Sequence, residues 1–285
     1  MKSIVVLRQV PDGTLGVIED VLHEAVLAWR YVDLFDTVPD SLDLSAASGL
    51  IILGGPMSAN QTDEYPVLVQ ELEWIRDAVR REMPVLAICL GSQLLAKAFG
   101  ATVHANACKE IGWYPIELTG PTQEDALFQG CAVEQTVYQF HGDTFTLPQG
   151  AVHLARSPLC ENQAFRFGRC AWRAQFHIEV TKEMALDWPD QTDNQRMIAQ
   201  LDYIDPEKIR RETPDAIVRM HAFSRQILPR FAAMCAGNAW DGEKRGVCES
   251  QQGWAICTKL EVPAVFCFVV AVGQLSACRP HGREG

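Results

Sequence analysis

The stretch Pro84 to Gly100, PVLAICLGSQLLAKAFG, constrains the fold of this chain more than any other. Its opening PVLAI is a short apolar run bounded by proline, which predicts a strand buried on both faces. Cys89 ends the run, and a helix over Ser92 to Phe99 follows almost at once, closed by Gly100 as a C-terminal glycine. A buried strand that runs straight into a helix is the unit from which parallel α/β sheets are built. A nucleophile on such a tight strand-to-helix turn forms the elbow of α/β hydrolytic enzymes. The turn is closely approached by neighbouring backbone, so it needs small residues on either side, and Ala87 and Gly91 supply them. It also sets the thiol at a helix N-terminus, where the dipole favours thiolate. Read alone, the stretch describes a structural cysteine at a βα junction equally well.

The surrounding pattern extends the same architecture. Ser3 to Leu7 and Ser48 to Leu53 are two further apolar runs that predict buried strands, the second ended by Gly54-Gly55-Pro56. Helical spacing over Gly16 to Ala28 and Tyr65 to Arg81 predicts amphipathic helices. Between Thr102 and Arg173, short strand-like pieces separated by Gly, Pro and Asn predict an antiparallel extension. Ala171 to Glu179 returns to a strand. Thr213 to Met234 predicts a long helix, with Thr213 as cap and Pro214 and Asp215 in its first turn. The expected fold is therefore α/β, with a mostly parallel central sheet, helices on both faces and a small antiparallel extension.

Bulk properties narrow the function. The chain has 285 residues and a net charge of −11, which argues against a nucleic-acid partner. No stretch approaches the roughly 20 apolar residues of a membrane span. The opening MKSIVVLRQVPDG turns polar too soon for a signal peptide, so the expected location is cytoplasmic. There are ten cysteines but no CxxC pair, so zinc spacings are missing and no metal site is expected. Residues 236–285 carry five basic and five acidic residues, so the whole −11 lies in 1–235. Their one apolar run, AVFCFVVAV, has no periodic neighbour. The expected division is a main α/β domain over 1–235 and an atypical, poorly ordered extension over 236–285.

A second chemical feature lies in AQFHIEVT. His177 and Glu179 are two apart on the expected strand and so share a face. A carboxylate beside a histidine fixes the ring tautomer and stabilises the imidazolium.

The segments GGPMS, AICLGSQLLA, KEIGWYPI, QFHGD and QFHIE occur in that order. Together they resemble the class I (triad) glutamine amidotransferase family, with its flavodoxin-like architecture. The resemblance spans roughly residues 45 to 185 and is strongest to the amidotransferase domain of GMP synthase and its stand-alone relatives. It implies Cys89 as nucleophile, His177 as base and Glu179 as the acid that orients it. It further implies an oxyanion hole from the N–H groups of Gly55 and Leu90, and substrate contacts from Gln93, Phe140 and His141. Two positions depart from the family pattern: Ala87 replaces a glycine two residues before the cysteine, and Ile178 replaces a proline between histidine and glutamate. Neither removes a reacting group, and Ile178 still favours extended backbone.

Other residues in these motifs have plainer readings. His141 stands in an HGD turn and reads as a positioning histidine rather than a second base. Trp113 and Tyr114 read as packing residues. Lys109 and Glu110 read either as an ion pair at the site entrance or as a solvated pair.

The implied reaction is hydrolysis of the glutamine side-chain amide through a Cys89 thioester, releasing ammonia without a cofactor. The chain has no GxxxxGK[ST] loop and no SGG-type ATP-pyrophosphatase motif. Three roles follow: a glutaminase whose ammonia goes to a separate synthetase, a hydrolase of γ-glutamyl amides or peptides for their own sake, or a catalytically silent binding or regulatory module. The complete set of triad residues weighs against the last.

Overall fold

The computed structural model describes residues 2–36 and 38–237; of the extension expected over 236–285, everything from residue 238 onward lies outside the described residues. The first three apolar runs form β1 (Ser3–Arg8), β3 (Ala47–Ile52) and β4 (Val85–Ile88). They join β2 (Trp29–Asp33) and β9 (Ala171–Ala174) in a parallel block of order β2-β1-β3-β4-β9. Side chains alternate across the block. Ile4 and Val6 face α1 (Val17–Glu24) and α6 (Pro206–Cys235), while Val5 and Leu7 face α2 (Val67–Arg80) and α3 (Leu90–Ala98). Helices therefore cover both faces, as a sheet of doubly buried strands requires.

The antiparallel extension is a four-stranded wing that continues the same sheet in the order β8-β7-β5-β6. Its strands are β5 (Val103–Leu118), β6 (Glu134–Phe145), β7 (Val152–Arg156) and β8 (Ala164–Phe167). A third apolar cluster lies beneath this wing. It joins Ile111, Trp113 and Tyr138 to α6 and to two short helices, α4 (Lys182–Asp187) and α5 (Thr192–Ile198).

Three elements differ from the sequence reading. Helix α1 stops at Glu24 because Val26 takes φ +54° and returns the Leu27 N–H to Leu22 O at 2.9 Å. Helix α6 begins eight residues before Pro214, capped by Asp205, whose side chain accepts from Glu207 N at 2.9 Å. Thr213 is not a cap. It is buried inside the helix, donating to Ile209 O (2.7 Å) and accepting from Trp113 Nε1 (2.9 Å). Finally, the strand at Ala171 ends at Ala174, short of the histidine.

Candidate active site

The carboxyl ends of the parallel strands converge on a cleft of about 510 Å³. This is where open α/β sheets bind ligands, at the point where strand order reverses, here between β1 and β3. Val10 to Thr14 follow β1, Leu53 to Ser58 follow β3, Cys89 follows β4, and His177 and Glu179 follow β9; all these segments contribute lining residues.

Cys89 occupies the elbow at φ +51°, ψ −109°, a backbone conformation that costs a non-glycine residue on the order of 1–3 kcal/mol. The surroundings hold it there. Its N–H donates to Ala174 O at 2.9 Å, and its carbonyl accepts from Ser92 and Gln93 N–H to start α3. Gly91 must stay glycine, since a Cβ there would stand 2.4 Å from Ile52 O. The Cys89 Sγ lies 3.8 Å from Phe140 O and 3.7 Å from Gln175 Nε2.

His177 donates its backbone N–H to Tyr138 O (2.9 Å) in an isolated antiparallel bridge. Its Nδ1 meets Glu179 Oε1 at 2.6 Å. The pair thus forms without a continuous strand, because neighbouring elements clamp each successive carbonyl. Ser224 Oγ donates to Ile178 O (2.8 Å), Val17 N–H to Glu179 O (2.8 Å) and His221 Nε2 to Val180 O (2.9 Å). Gly16, at φ +49°, lets α1 reach this segment; a Cβ on it would stand 1.9 Å from Glu179 O. Burial alone would lower the pKa of His177, but the Glu179 carboxylate and the Cys89 sulfur outweigh it and raise it to about 10.

Gly54 and Gly55 form the turn beside this pair. A Cβ on Gly54 would lie 3.2 Å from His177 Cε1 and 3.3 Å from Cys89 Cβ. No backbone carbonyl among the described residues accepts the Gly55 N–H, and Leu90 opens α3 where an N–H has no intrahelical partner. Gln93 lines the cleft, with Nε2 3.3 Å from Gln175 Oε1 and 3.4 Å from Asp143 O. Phe140 lines it too, its ring edge-on to Trp188.

His141 lies within strand β6 and not in a turn, because it pairs across the ladder with Glu110 of β5; it is buried, with Nδ1 3.0 Å from Asp143 O and Nε2 2.9 Å from Glu110 Oε2. Glu110 is therefore not the partner of Lys109, and neither reading of that pair holds. Its carboxylate is fully buried and also accepts from Ser157 Oγ (3.1 Å) and Gln163 Nε2 (2.8 Å). Glu110, His141 and Cys160 bring three metal-capable atoms within 4.8 Å of one another, the one such group among the described residues. With the carboxylate already committed to three donors, the cluster reads as a hydrogen-bonded support for the Phe140–Asp143 segment.

Four contributors escaped the sequence reading. Gln175 touches the thiol, Trp188 packs its ring 4.8 Å from that of His177, Gly54 lies between Cys89 and His177, and Gly16 admits α1 to the acid. Gln175 and Gly54 stand inside or beside the motifs that carry the resemblance. Trp188 and Gly16 carry no local signal, because their role depends on tertiary approach.

The family model described as glutamine amidotransferase class-I matches residues 15–185, more than half of the chain. The chain belongs to the class I glutamine amidotransferase family. The glutamine amidotransferase-like protein YfeJ of Salmonella typhimurium is 34% identical over 160 residues, covering 55% of this chain and 66% of that protein. A glutamine-hydrolysing GMP synthase subunit of Methanosarcina barkeri is 34% identical over 135 residues, covering 47% of this chain and 65% of that one. For the GMP synthase of Porphyromonas gingivalis the match, 36% identical over 140 residues, covers 26% of its length. The chain thus spans just under two thirds, or about a quarter, of these relatives. A glutamine amidotransferase from Thermotoga maritima has the same fold at TM-score 0.71 and 31% identity, over 81% of this chain and 98% of that one. One from Methylobacillus flagellatus reaches 0.71 at 28% identity, over 89% and 100%. Among the described residues of this family member, no helix is long and apolar enough to cross a membrane.

Proposed function

We propose that this amidotransferase is a cysteine hydrolase that cleaves the side-chain amide of glutamine, or a γ-glutamyl amide, through a thioester on Cys89. The observation that carries this reading is the strained Cys89 elbow facing the His177–Glu179 pair across the cleft. The Cys89 thiolate attacks the γ-carboxamide carbon. The N–H groups of Gly55 and Leu90 hold the oxyanion, an effect worth about 3 kcal/mol per donor. His177, kept protonated by Glu179, gives its proton to the departing nitrogen. The same imidazole, now neutral, takes a proton from water, which attacks the thioester and frees glutamate and Cys89. Phe140 and His141 supply backbone beside the thiol for the amino-acid end of the substrate, and Gln93 borders the same space.

The cleft favours partner-independent hydrolysis as its use. Glutamine alone fills only part of 510 Å³, and Met184, Trp188 and Met197 also line the cleft, with Trp188 beside His177, which leaves room for a substituent on the leaving nitrogen. Delivery of ammonia to a separate synthetase is the second reading, favoured by the likeness to a glutamine-hydrolysing subunit of GMP synthase.

The purified protein is assayed for ammonia and glutamate release from glutamine and from a γ-glutamyl dipeptide. Turnover on the order of 1 per second without a partner supports the first reading. Turnover restored only by an added synthetase supports the second. An α-amino diazoketone that mimics glutamine should label Cys89 alone. Burial pushes the thiols of Cys131 and Cys160 up, that of Cys170 to about 11 and that of Cys235 to about 12. Labelling unchanged in Cys89→Ser, with no turnover under any condition, would leave only the silent binding module.

A further inference from the structure

Beneath the Gly54–Gly55 turn lies a buried acid that the reaction above does not use. Glu71 is on α2, with no exposed surface, and its Oε2 accepts from Gln9 Nε2 at 2.7 Å. Gln9 follows β1 directly and is itself 2% exposed. Gln9 also touches the glycine turn: a Cβ on Gly55 would stand 2.8 Å from Gln9 Cβ. Glu71, Gln9 and Gly55 therefore form a contiguous column from α2 to the cleft wall.

The hydrogen bonding of the pair is incomplete in a revealing way. Glu71 Oε1 and Gln9 Oε1 are both buried without a partner. An ionised carboxylate has no proton to offer, and a glutamine amide donates only through its nitrogen. A proton on Glu71 supplies the donor that the pair lacks.

We propose that Glu71, through Gln9, is a positioning residue for Gly55, holding its N–H toward Cys89 while the Glu71 carboxyl is protonated and releasing that hold when it ionises. The proposal rests on Gly55 serving the reaction as described above.

The electrostatics agree in direction. Burial raises the Glu71 pKa to about 8, and the Gln9 bond tempers the rise. Desolvation and the Gln9 bond are the two influences on it; among the described residues no cation offsets the cost of charging it and no second carboxylate adds to that cost. Its folded pKa lies above the ordinary carboxyl value. The associated stability is therefore full below pH 4.5 and is lost as pH rises through about 8. Above that point an uncompensated charge sits next to Gln9, and the column must rearrange or admit water.

The test uses the full chain, with glycine-selective ¹⁵N labelling and NMR, and its deciding readout, the Gly55 resonance, does not depend on turnover. The Gly55 amide resonance should titrate with a midpoint near pH 8 in the parent protein. Glu71→Gln, a neutral isostere, should abolish that titration and leave kcat at neutral pH within about twofold. It should also remove the fall in kcat near pH 8 while leaving any limb near 10, which belongs to His177. Gln9→Met, which removes the relay but keeps the acid, should likewise silence Gly55. A Gly55 resonance constant between pH 6 and 9, or one that titrates equally in Glu71→Gln, overturns the proposal. If Gly55 titrates as described but the protein releases no glutamate from any γ-glutamyl substrate, the brace stands and the hydrolase reading falls.

Discussion

At the scale of single residues, the proposed reaction divides the site into groups that react and groups that aim them. Glu179 never meets the substrate in the proposed reaction, yet it sets the charge on His177. Glu179→Gln keeps the shape but removes the carboxylate that raises the histidine, so kcat should fall on the order of 10³-fold or more. The alkaline limb should also move down. The His177 pKa is raised from 6.5 to about 10, so the imidazolium, and the stability it brings, is full below 6.5 and lost as pH rises through about 10. In Glu179→Gln that loss should begin at lower pH. A kcat–pH profile with an unmoved alkaline limb would show that Glu179 does not control the ring. Arg173 presents the opposite case. Its guanidinium is buried with Nε, Nη1 and Nη2 unpartnered, sandwiched 3.5 Å from the Phe145 ring and 3.9 Å from that of Phe165. The two ring contacts offer about 2 kcal/mol each when desolvated, against a cost of several kcal/mol for burying the ion. Burial accordingly drives its pKa well below the ordinary value. Arg173→Met should be neutral to stabilising by about 1–3 kcal/mol in urea unfolding, and a clear loss of stability would mean that the ring sandwich outweighs desolvation.

At the scale of elements, what could be read in advance follows how local each signal is. β1, β3 and β4 were legible because doubly buried strands are uniformly apolar, and α2 because its apolar positions recur on one face. β2 was not legible: WRYVD lies at the sheet edge with only Val32 buried, and its two charged residues break up any uniform apolar run. The start of α6 was misplaced because Thr-Pro-Asp imitates a helix cap that Asp205-Pro206-Glu207 also provides; Trp113, far away in sequence, takes Thr213 as a partner. The His177–Glu179 pair was foreseen, but its cause was not, since three carbonyl clamps from α1 and α6 replace the expected strand. This difference can be tested at Gly16. In Gly16→Ala the added methyl meets Glu179 O, and displacing the acid by about 1 Å should lower kcat on the order of 10²-fold with little change in KM. Gly100→Ala is the control: its φ is +86°, but nothing lies within 4 Å of the added methyl. That variant should lose about 1 kcal/mol of stability and keep its kcat. Equal effects on kcat in the two variants would remove the argument that α1 aims the acid.

At the scale of the whole molecule, the question is how much chain the catalytic fold needs. Met234 marks the end of the helix in the sequence, but α6 runs through Cys235 and is followed by Ala236 and Gly237, the latter at φ +75°. Cys235 is 5% exposed and packs against β3 so closely that a Cβ on Gly49 would stand 2.5 Å from its Sγ. Cutting after Met234 therefore removes a core side chain and the helix cap together. Such a loss costs about 1–3 kcal/mol, or several degrees in a domain of this size. Cutting after Gly237 removes neither. It also leaves the charge at −11, because residues 236–285 are neutral and Ala236 and Gly237 carry no charge, so the shortened protein keeps the repulsion that favours solubility. We predict that a chain ending at Gly237 retains its thermal midpoint within about 2 °C and its turnover within about twofold, whereas one ending at Met234 melts several degrees lower. Calorimetry and glutamate release on the three chain lengths measure both. Precipitation of the Gly237 form, or loss of its activity, would assign the AVFCFVVAV run to the catalytic core. Equal midpoints for the two shortened forms would show that Cys235 contributes little to the packing of α6 on β3.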